Sequence, residues 1–169
     1  MDRNIVLIGL MGSGKTTLGK LLSLKLEMDF IDTDVLIEKE AKKTINEIFE
    51  MYGETLFRKL ETKTIKTVSK YSDKVISTGG GAVENPKNME NLKKNSVLFY
   101  LYAPANELYD RVKNDKHRPL LKTHNPVATL KHLLKKREQF YNQADFVINT
   151  VDRPSNEIID EIIENYNAL

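Results

Sequence analysis

The sequence predicts an α/β fold, a three-layer sandwich in which helices cover both faces of a five-stranded parallel sheet. Three observations carry this. Short apolar runs alternate with stretches of helical periodicity along the whole chain. The first run leads directly into a glycine-rich phosphate-binding loop. The run Val97-Leu98-Phe99-Tyr100-Leu101 is continuously apolar, as a central strand buried on both faces requires. At 169 residues the chain suits one compact domain, 1–169, without repeats, low-complexity tracts or an interdomain linker.

The first strand, Ile5-Val6-Leu7-Ile8, ends at Gly9-Leu10-Met11-Gly12-Ser13-Gly14-Lys15-Thr16, which fits G-x-x-x-x-G-K-[ST]. A loop that cradles phosphate runs from a strand end into a helix N-terminus, so that backbone N–H groups and the helix dipole both point at the anion. The helix is signalled by Leu18, Leu21, Leu22 and Leu26. Gly12, Ser13, Gly14, Lys15, Thr16 and Thr17 are the expected nucleotide phosphate contacts. Lys15 would reach the outer phosphates, and the Thr16 hydroxyl would ligate Mg²⁺. A plain glycine turn would explain neither residue.

Met28-Asp29-Phe30-Ile31 reads as the second strand, ending in Asp32-Thr33-Asp34. Strand C-terminal ends face the ligand crevice of an open parallel sheet. Two carboxylates here can face the phosphate loop, one toward Mg²⁺ and one toward the group that accepts phosphate. Asp32 or Thr33 could equally cap the helix that carries Val35, Leu36 and Ile37. The next helical segments hold Ile45, Ile48 and Phe49 and, after Gly53, Leu56, Phe57, Leu60 and Val68. Arg58 and Glu61 share a face there, and on the residues alone they read as an i,i+3 ion pair in solvent.

Val75-Ile76-Ser77-Thr78 is the third strand and ends in Gly79-Gly80-Gly81. Three glycines in a row are a local liability of roughly 0.5–1 kcal/mol each, so something must approach the backbone there. Pro86 and Pro104 read as first-turn prolines of two helices that flank the fourth strand. From Arg111 to Asn125 the sequence turns polar and loses periodicity, which in a compact domain marks a lid or a disordered loop. Asn125-Pro126 opens a helix with Leu130, Leu133, Leu134 and Phe140 as apolar positions and Arg137 and Tyr141 one turn apart. The fifth strand is Asp145-Phe146-Val147-Ile148-Asn149. A terminal amphipathic helix with Ile158, Ile159, Ile162 and Ile163 follows Arg153-Pro154.

Composition narrows the function classes. The net charge is +2, which gives no global case for a nucleic-acid or membrane-surface partner. There is no cysteine, hence no disulfide and no thiolate metal site. No apolar run approaches a membrane span and no leader pattern opens the chain, so the expectation is a cytoplasmic monomer with small-molecule partners. His117, His124 and His132 lack metal-ligand spacing and read as surface residues. Basic charge is carried by twenty lysines against six arginines. Arginine kept apart in this way marks sites that need a planar bidentate donor, which makes Arg58, Arg111, Arg118, Arg137 and Arg153 candidate ligand contacts.

With these residues placed, the chain resembles the shikimate kinase family from its first strand to its last helix. The likeness rests on the phosphate loop with Lys15, Asp32-Thr33-Asp34, Ile48-Phe49, Gly53-Glu54, Phe57-Arg58 with Glu61, Gly79-Gly80-Gly81, Arg118-Pro119-Leu120-Leu121, and Arg137 with Tyr141. The resemblance implies a P-loop NTPase fold of the nucleoside monophosphate kinase type, with substrate-binding helices at about 33–61 and a lid at about 112–125. It implies transfer of the γ-phosphoryl of ATP to the 3-hydroxyl of shikimate, on the way to chorismate and the aromatic amino acids. Lys15, Asp34 and Arg118 would be the catalytic residues, with Asp34 binding substrate hydroxyls and taking the proton and Arg118 reaching the transferring phosphate from the lid. Arg58 and Arg137 would hold the substrate carboxylate, which replaces the surface-pair reading of Arg58. Gly79, Gly80 and Gly81 would supply backbone donors, Glu61 would orient Arg58, and Phe49 and Phe57 would line the pocket. Asp32 would help Thr16 hold Mg²⁺ through water. Arg111 would flank adenine with Arg153 near it, although the family spaces this arginine from its proline by one residue and Arg153 abuts Pro154.

Gluconate kinases and nucleoside monophosphate kinases share the loop and a lid but do not account for Phe57-Arg58 together with the glycine triplet. A catalytically silent regulatory relative would have lost Lys15, Asp34 or Arg118, and all three are present.

Overall fold

The computed structural model describes residues 3–114 and 123–169. Five strands, β1 (Asn4–Ile8), β2 (Asp29–Asp32), β3 (Lys74–Ser77), β4 (Ser96–Tyr102) and β5 (Phe146–Asn149), form one sheet. The order is β2-β3-β1-β4-β5, and every neighbouring pair is parallel. Parallel neighbours require crossovers, and the helices supply them: α1 (Lys15–Leu26), α2 (Thr33–Ala41), α3 (Ile45–Val68), α4 (Pro86–Lys93), α5 (Ala105–Val112), α6 (Pro126–Tyr141) and α7 (Ser155–Asn167). A short 3₁₀ turn covers Ala82–Glu84.

The period-two alternation of a strand sorts side chains into two cores. Ile5 and Leu7 of β1 and Val97, Phe99 and Leu101 of β4 pack with Leu18 and Leu22 of α1 and Ile158, Ile159 and Ile162 of α7. Val6, Ile8, Leu98 and Tyr100 point the other way, against Ile65 and Val68 of α3, Leu92 of α4 and Tyr141 of α6. The result is the three-layer sandwich that the sequence predicts.

Register positions the site. Leu7 and Asp32 both pair with Ser77, so β1, β2 and β3 end at one level. The loops that follow them emerge side by side, where the strand order switches across β1. Beyond that edge, Ile37, Ile48 and Phe57 form a small separate core under α2 and α3. α3 breaks at Gly53, whose φ of 77° and ψ of 174° are not helical. A Cβ there would meet nothing within 4 Å, so glycine serves the backbone turn, not a close contact.

Three expectations shift in detail. Pro104 is the N-cap of α5 and not its first-turn residue, because its φ of −68° goes with an extended ψ of 159°. Leu21 is 41% exposed and Val35 is 59% exposed, since α1 and α2 each bury one face only. His124 and His132 are exposed as expected, whereas His117 lies outside the described residues. Among the described residues no helix is long and apolar enough to cross a membrane.

Candidate active site

Gly14, in the left-handed region at φ 94°, is the N-cap of α1 and carries no side chain to cap it. The first-turn N–H groups of the helix are therefore available to an anion. They face a cavity of about 380 Å³ bounded by Gly12, Gly14–Thr17, Asp32, Asp34, Thr78, Gly79-Gly80 and Arg111. Lys15 Nζ donates to the carbonyls of Gly9 (2.9 Å) and Leu10 (3.0 Å), which folds the ammonium over the loop. Ser13 is buried and its N–H closes the loop onto the Leu10 carbonyl at 3.2 Å.

Asp32 caps α2, one of its two sequence readings, and also reaches the phosphate loop. Its Oδ1 accepts from the N–H groups of Asp34 (3.0 Å) and Val35 (3.4 Å) and caps α2, while its Oδ2 accepts from the Thr16 hydroxyl at 2.9 Å. Two hard oxygen donors meet beside the phosphate loop. No cluster of three or more acidic, histidine or cysteine side chains that could hold a metal occurs among the described residues. A hydroxyl and one carboxylate fit Mg²⁺, which keeps most of its shell as water and phosphate oxygens, and not an ion caged by protein alone.

Asp34 stands one helical step further into the cavity. Its Oδ1 is sealed from solvent and has no hydrogen-bond partner among the described residues. Burial raises its pKa from an ordinary 3.8 to about 6, helped by the charges of Asp32 and Glu61 and opposed by Lys15. The Oε1 of Glu61 is a second sealed and unpartnered oxygen. Burial also raises the Glu61 pKa, against the pull of Arg58 and Arg137. Both oxygens border Gly79, where an added Cβ would lie 2.9 Å from Asp34 Oδ1 and 3.0 Å from Glu61 Oε1. Buried acceptors without donors are costly, and they are what a ligand bearing hydroxyl groups would satisfy.

Two residues along, the same backbone meets cations. A Cβ on Gly81 would lie 2.6 and 2.8 Å from the two terminal nitrogens of Arg58 and 3.0 Å from Nη2 of Arg137. Arg58 Nη1 donates to Glu61 Oε2 at 2.9 Å, and its other edge meets Glu54 at 3.1 Å. Arg137 is only 6% exposed and donates from Nε to Glu84 at 2.7 Å. The glycine triplet is thus the place where two guanidinium groups and two orphaned carboxylate oxygens converge, a few ångströms from the phosphate loop. Tyr141, stacked on Tyr100 at 4.7 Å, donates its hydroxyl to the Gly80 carbonyl at 2.6 Å and fixes that turn.

The remaining expected contacts divide. Phe49 and Phe57 pair at 4.8 Å, with Phe57 buried beneath the Arg58 guanidinium at 5.3 Å and Phe49 37% exposed. Arg111 bridges the loop and the end of β5, donating to the Thr150 carbonyl at 2.9 Å, its hydroxyl at 3.0 Å and the Gly12 carbonyl at 3.4 Å. Arg153 does not line the cavity: it pairs with Glu161 at 2.5 Å and with the Asn149 carbonyl at 3.0 Å. Arg118 and most of the expected lid, residues 115–122, lie outside the described residues. Glu84 was not expected at the site. No motif marks it, and the only signal is an acidic residue three positions past a glycine triplet that gathers arginines.

A family model described as shikimate kinase matches residues 11–167 of the chain. A shikimate kinase of Caldicellulosiruptor bescii is 51% identical over 148 residues, which covers 88% of this chain and 86% of that one. One from Thermodesulfovibrio yellowstonii is 45% identical over 167 residues, covering 99% and 96%. The solved structure of shikimate kinase from Acinetobacter baumannii in complex with shikimate superposes with a TM-score of 0.95 at 37% identity, covering 99% of this chain and 94% of that one.

Proposed function

The chain belongs to the shikimate kinase family and is an ATP-dependent kinase acting on shikimate, and we propose the following division of labour for transfer of the γ-phosphoryl group to the 3-hydroxyl. The observation that carries the reading is the convergence at Gly79–Gly81 of two cations and two unsatisfied acceptor oxygens. A carboxylate matches the guanidinium pair, and vicinal hydroxyls match the orphaned oxygens of Asp34 and Glu61. Shikimate offers both groups on one ring. The near-neutral charge of the chain supports small-molecule partners alone, and the family's kinase works as a monomer in this reading.

The loop N–H groups and Lys15 hold the β- and γ-phosphates of ATP, with Lys15 leaving the carbonyls it now contacts. Arg111 flanks the base, a role supported by its place between Gly12 and Thr150. Arg58 and Arg137 grip the shikimate carboxylate, and Glu61 holds Arg58 in place. Asp34 accepts the hydroxyl proton as the oxygen attacks phosphorus. Its raised proton affinity suits that task, because a general base works best when its pKa approaches the working pH, while a pKa of about 6 leaves it ionised at neutrality. Mg²⁺, held by Thr16 and by Asp32 through water, would supply charge neutralisation across the phosphate oxygens.

The reading is tested by ADP release with shikimate, gluconate and AMP offered separately with Mg²⁺ and ATP. Shikimate should be used far faster than either of the others. Equal or faster ADP release with gluconate or AMP would refute it.

A further inference from the structure

We propose that Glu84 is a positioning residue for the acceptor site: through Arg137 it sets which edge of that guanidinium faces the substrate carboxylate. The inference rests on the reading of Arg137 as part of the carboxylate clamp. Glu84 closes the 3₁₀ turn Ala82–Glu84, and its N–H donates to the Gly81 carbonyl at 3.1 Å. Residues three apart eclipse one another in such a turn. Glu84 is thereby brought back over Gly81, the residue on which both guanidinium groups close.

A guanidinium has two bidentate edges, one formed by Nε with a terminal nitrogen and one by the two terminal nitrogens. Glu84 Oε1 takes Nε of Arg137 at 2.7 Å. Nη2 is left within reach of Gly81. With Nε taken by this partly exposed carboxylate, the terminal nitrogens are what Arg137 has left to offer the pocket. Glu84 Oε2 is held in turn by Lys136 Nζ at 2.6 Å, so the carboxylate has little freedom to rotate away. Lys136 is largely exposed and screened, which leaves the Arg137 contact as the consequential one. Two more charged groups face this network: Glu61, which feels both Arg137 and Glu84, and Arg58, whose terminal nitrogens close on Gly81 beside Nη2 of Arg137.

Glu84→Ala should raise the shikimate KM about tenfold or more while kcat and the ATP KM stay within about twofold, since only the carboxylate grip is disturbed. Glu84→Gln, which keeps an acceptor oxygen at the same reach, should restore most of the lost affinity. Glu84→Asp keeps the charge but not the reach and should behave like the alanine variant; should the alanine variant fail to fold, aspartate against glutamine decides the same question. In an Arg137→Ala background Glu84→Ala should add less than about twofold, the signature of a residue that acts through its partner. A shikimate KM within twofold of the parent for Glu84→Ala, or an equal rise in both backgrounds, would overturn the inference. If Arg137→Ala alone left the shikimate KM unchanged, the clamp reading itself would fall, and the two failures are thus distinguished.

Discussion

Asp34→Asn should make the protein both more stable and nearly inactive, and the structure sets the size of each effect. The ordinary carboxylate pKa of 3.8 is raised to about 6 by burial and by the neighbouring Asp32 and Glu61 charges. The folded protein therefore binds this proton more tightly than the unfolded chain does, and stability falls as pH rises from about 4 to about 6. At about 1.4 kcal/mol for each tenfold change in proton affinity, the ionised side chain costs the folded state about 3 kcal/mol above pH 7. An amide has no charge to bury and no like-charge repulsion with Asp32 and Glu61. Allowing for the amide's own desolvation, the variant should gain about 1–2 kcal/mol at pH 8, or about 3–6 °C in melting temperature. At pH 4 or below the parent is protonated too, and the difference should vanish. Thermal melts of ligand-free protein at pH 4 and pH 8 measure this directly. In steady-state assays kcat should fall about 10²-fold, the usual worth of a general base. The parent's kcat/KM for shikimate should rise with pH through about 6, and the variant should lack that limb. A stability difference independent of pH would refute the burial argument, and a near-normal kcat would reduce Asp34 to a positioning group.

The clamp and the glycine turn yield two further expectations. Arg58→Lys and Arg137→Lys should each raise the shikimate KM about 10- to 100-fold with the ATP KM little changed, because an ammonium cannot replace a bidentate planar donor; loss of ATP affinity with shikimate KM intact would reverse the assignment. Gly81→Ala should fold normally, since its φ of −94° suits any residue and the crowding atoms are side-chain tips, but its Cβ would push both guanidinium groups outward, and shikimate titrations should show at least a tenfold loss of affinity.

Much of this molecule is legible before folding because the relevant forces are local. The strand β1 with its phosphate loop, the helix that starts at Lys15 and the capping role of Asp32 all follow from neighbours a few residues apart. Period and turn chemistry are written in contiguous stretches. The rarity of arginine singled out Arg58, Arg111, Arg118, Arg137 and Arg153 as candidates without saying which of them meet, and the glycine triplet announced a close approach without saying what approaches. That Arg58 and Arg137, seventy-nine positions apart, both close on Gly81 depends on the strand order β2-β3-β1 and on the level at which three strands end. No periodicity encodes such a meeting. Nor does it encode the raised pKa of Asp34, which is a matter of what surrounds the side chain once water is excluded, or the hold of Glu84 on Arg137 across fifty-three residues. Arg153 makes the same point from the other side, since it pairs with Glu161 of α7 and does not line the cavity. Residue type and spacing determine which groups are present and what local structure carries them. Desolvation and orientation, on which the proposed base, clamp and support all depend, arise only when distant segments pack together.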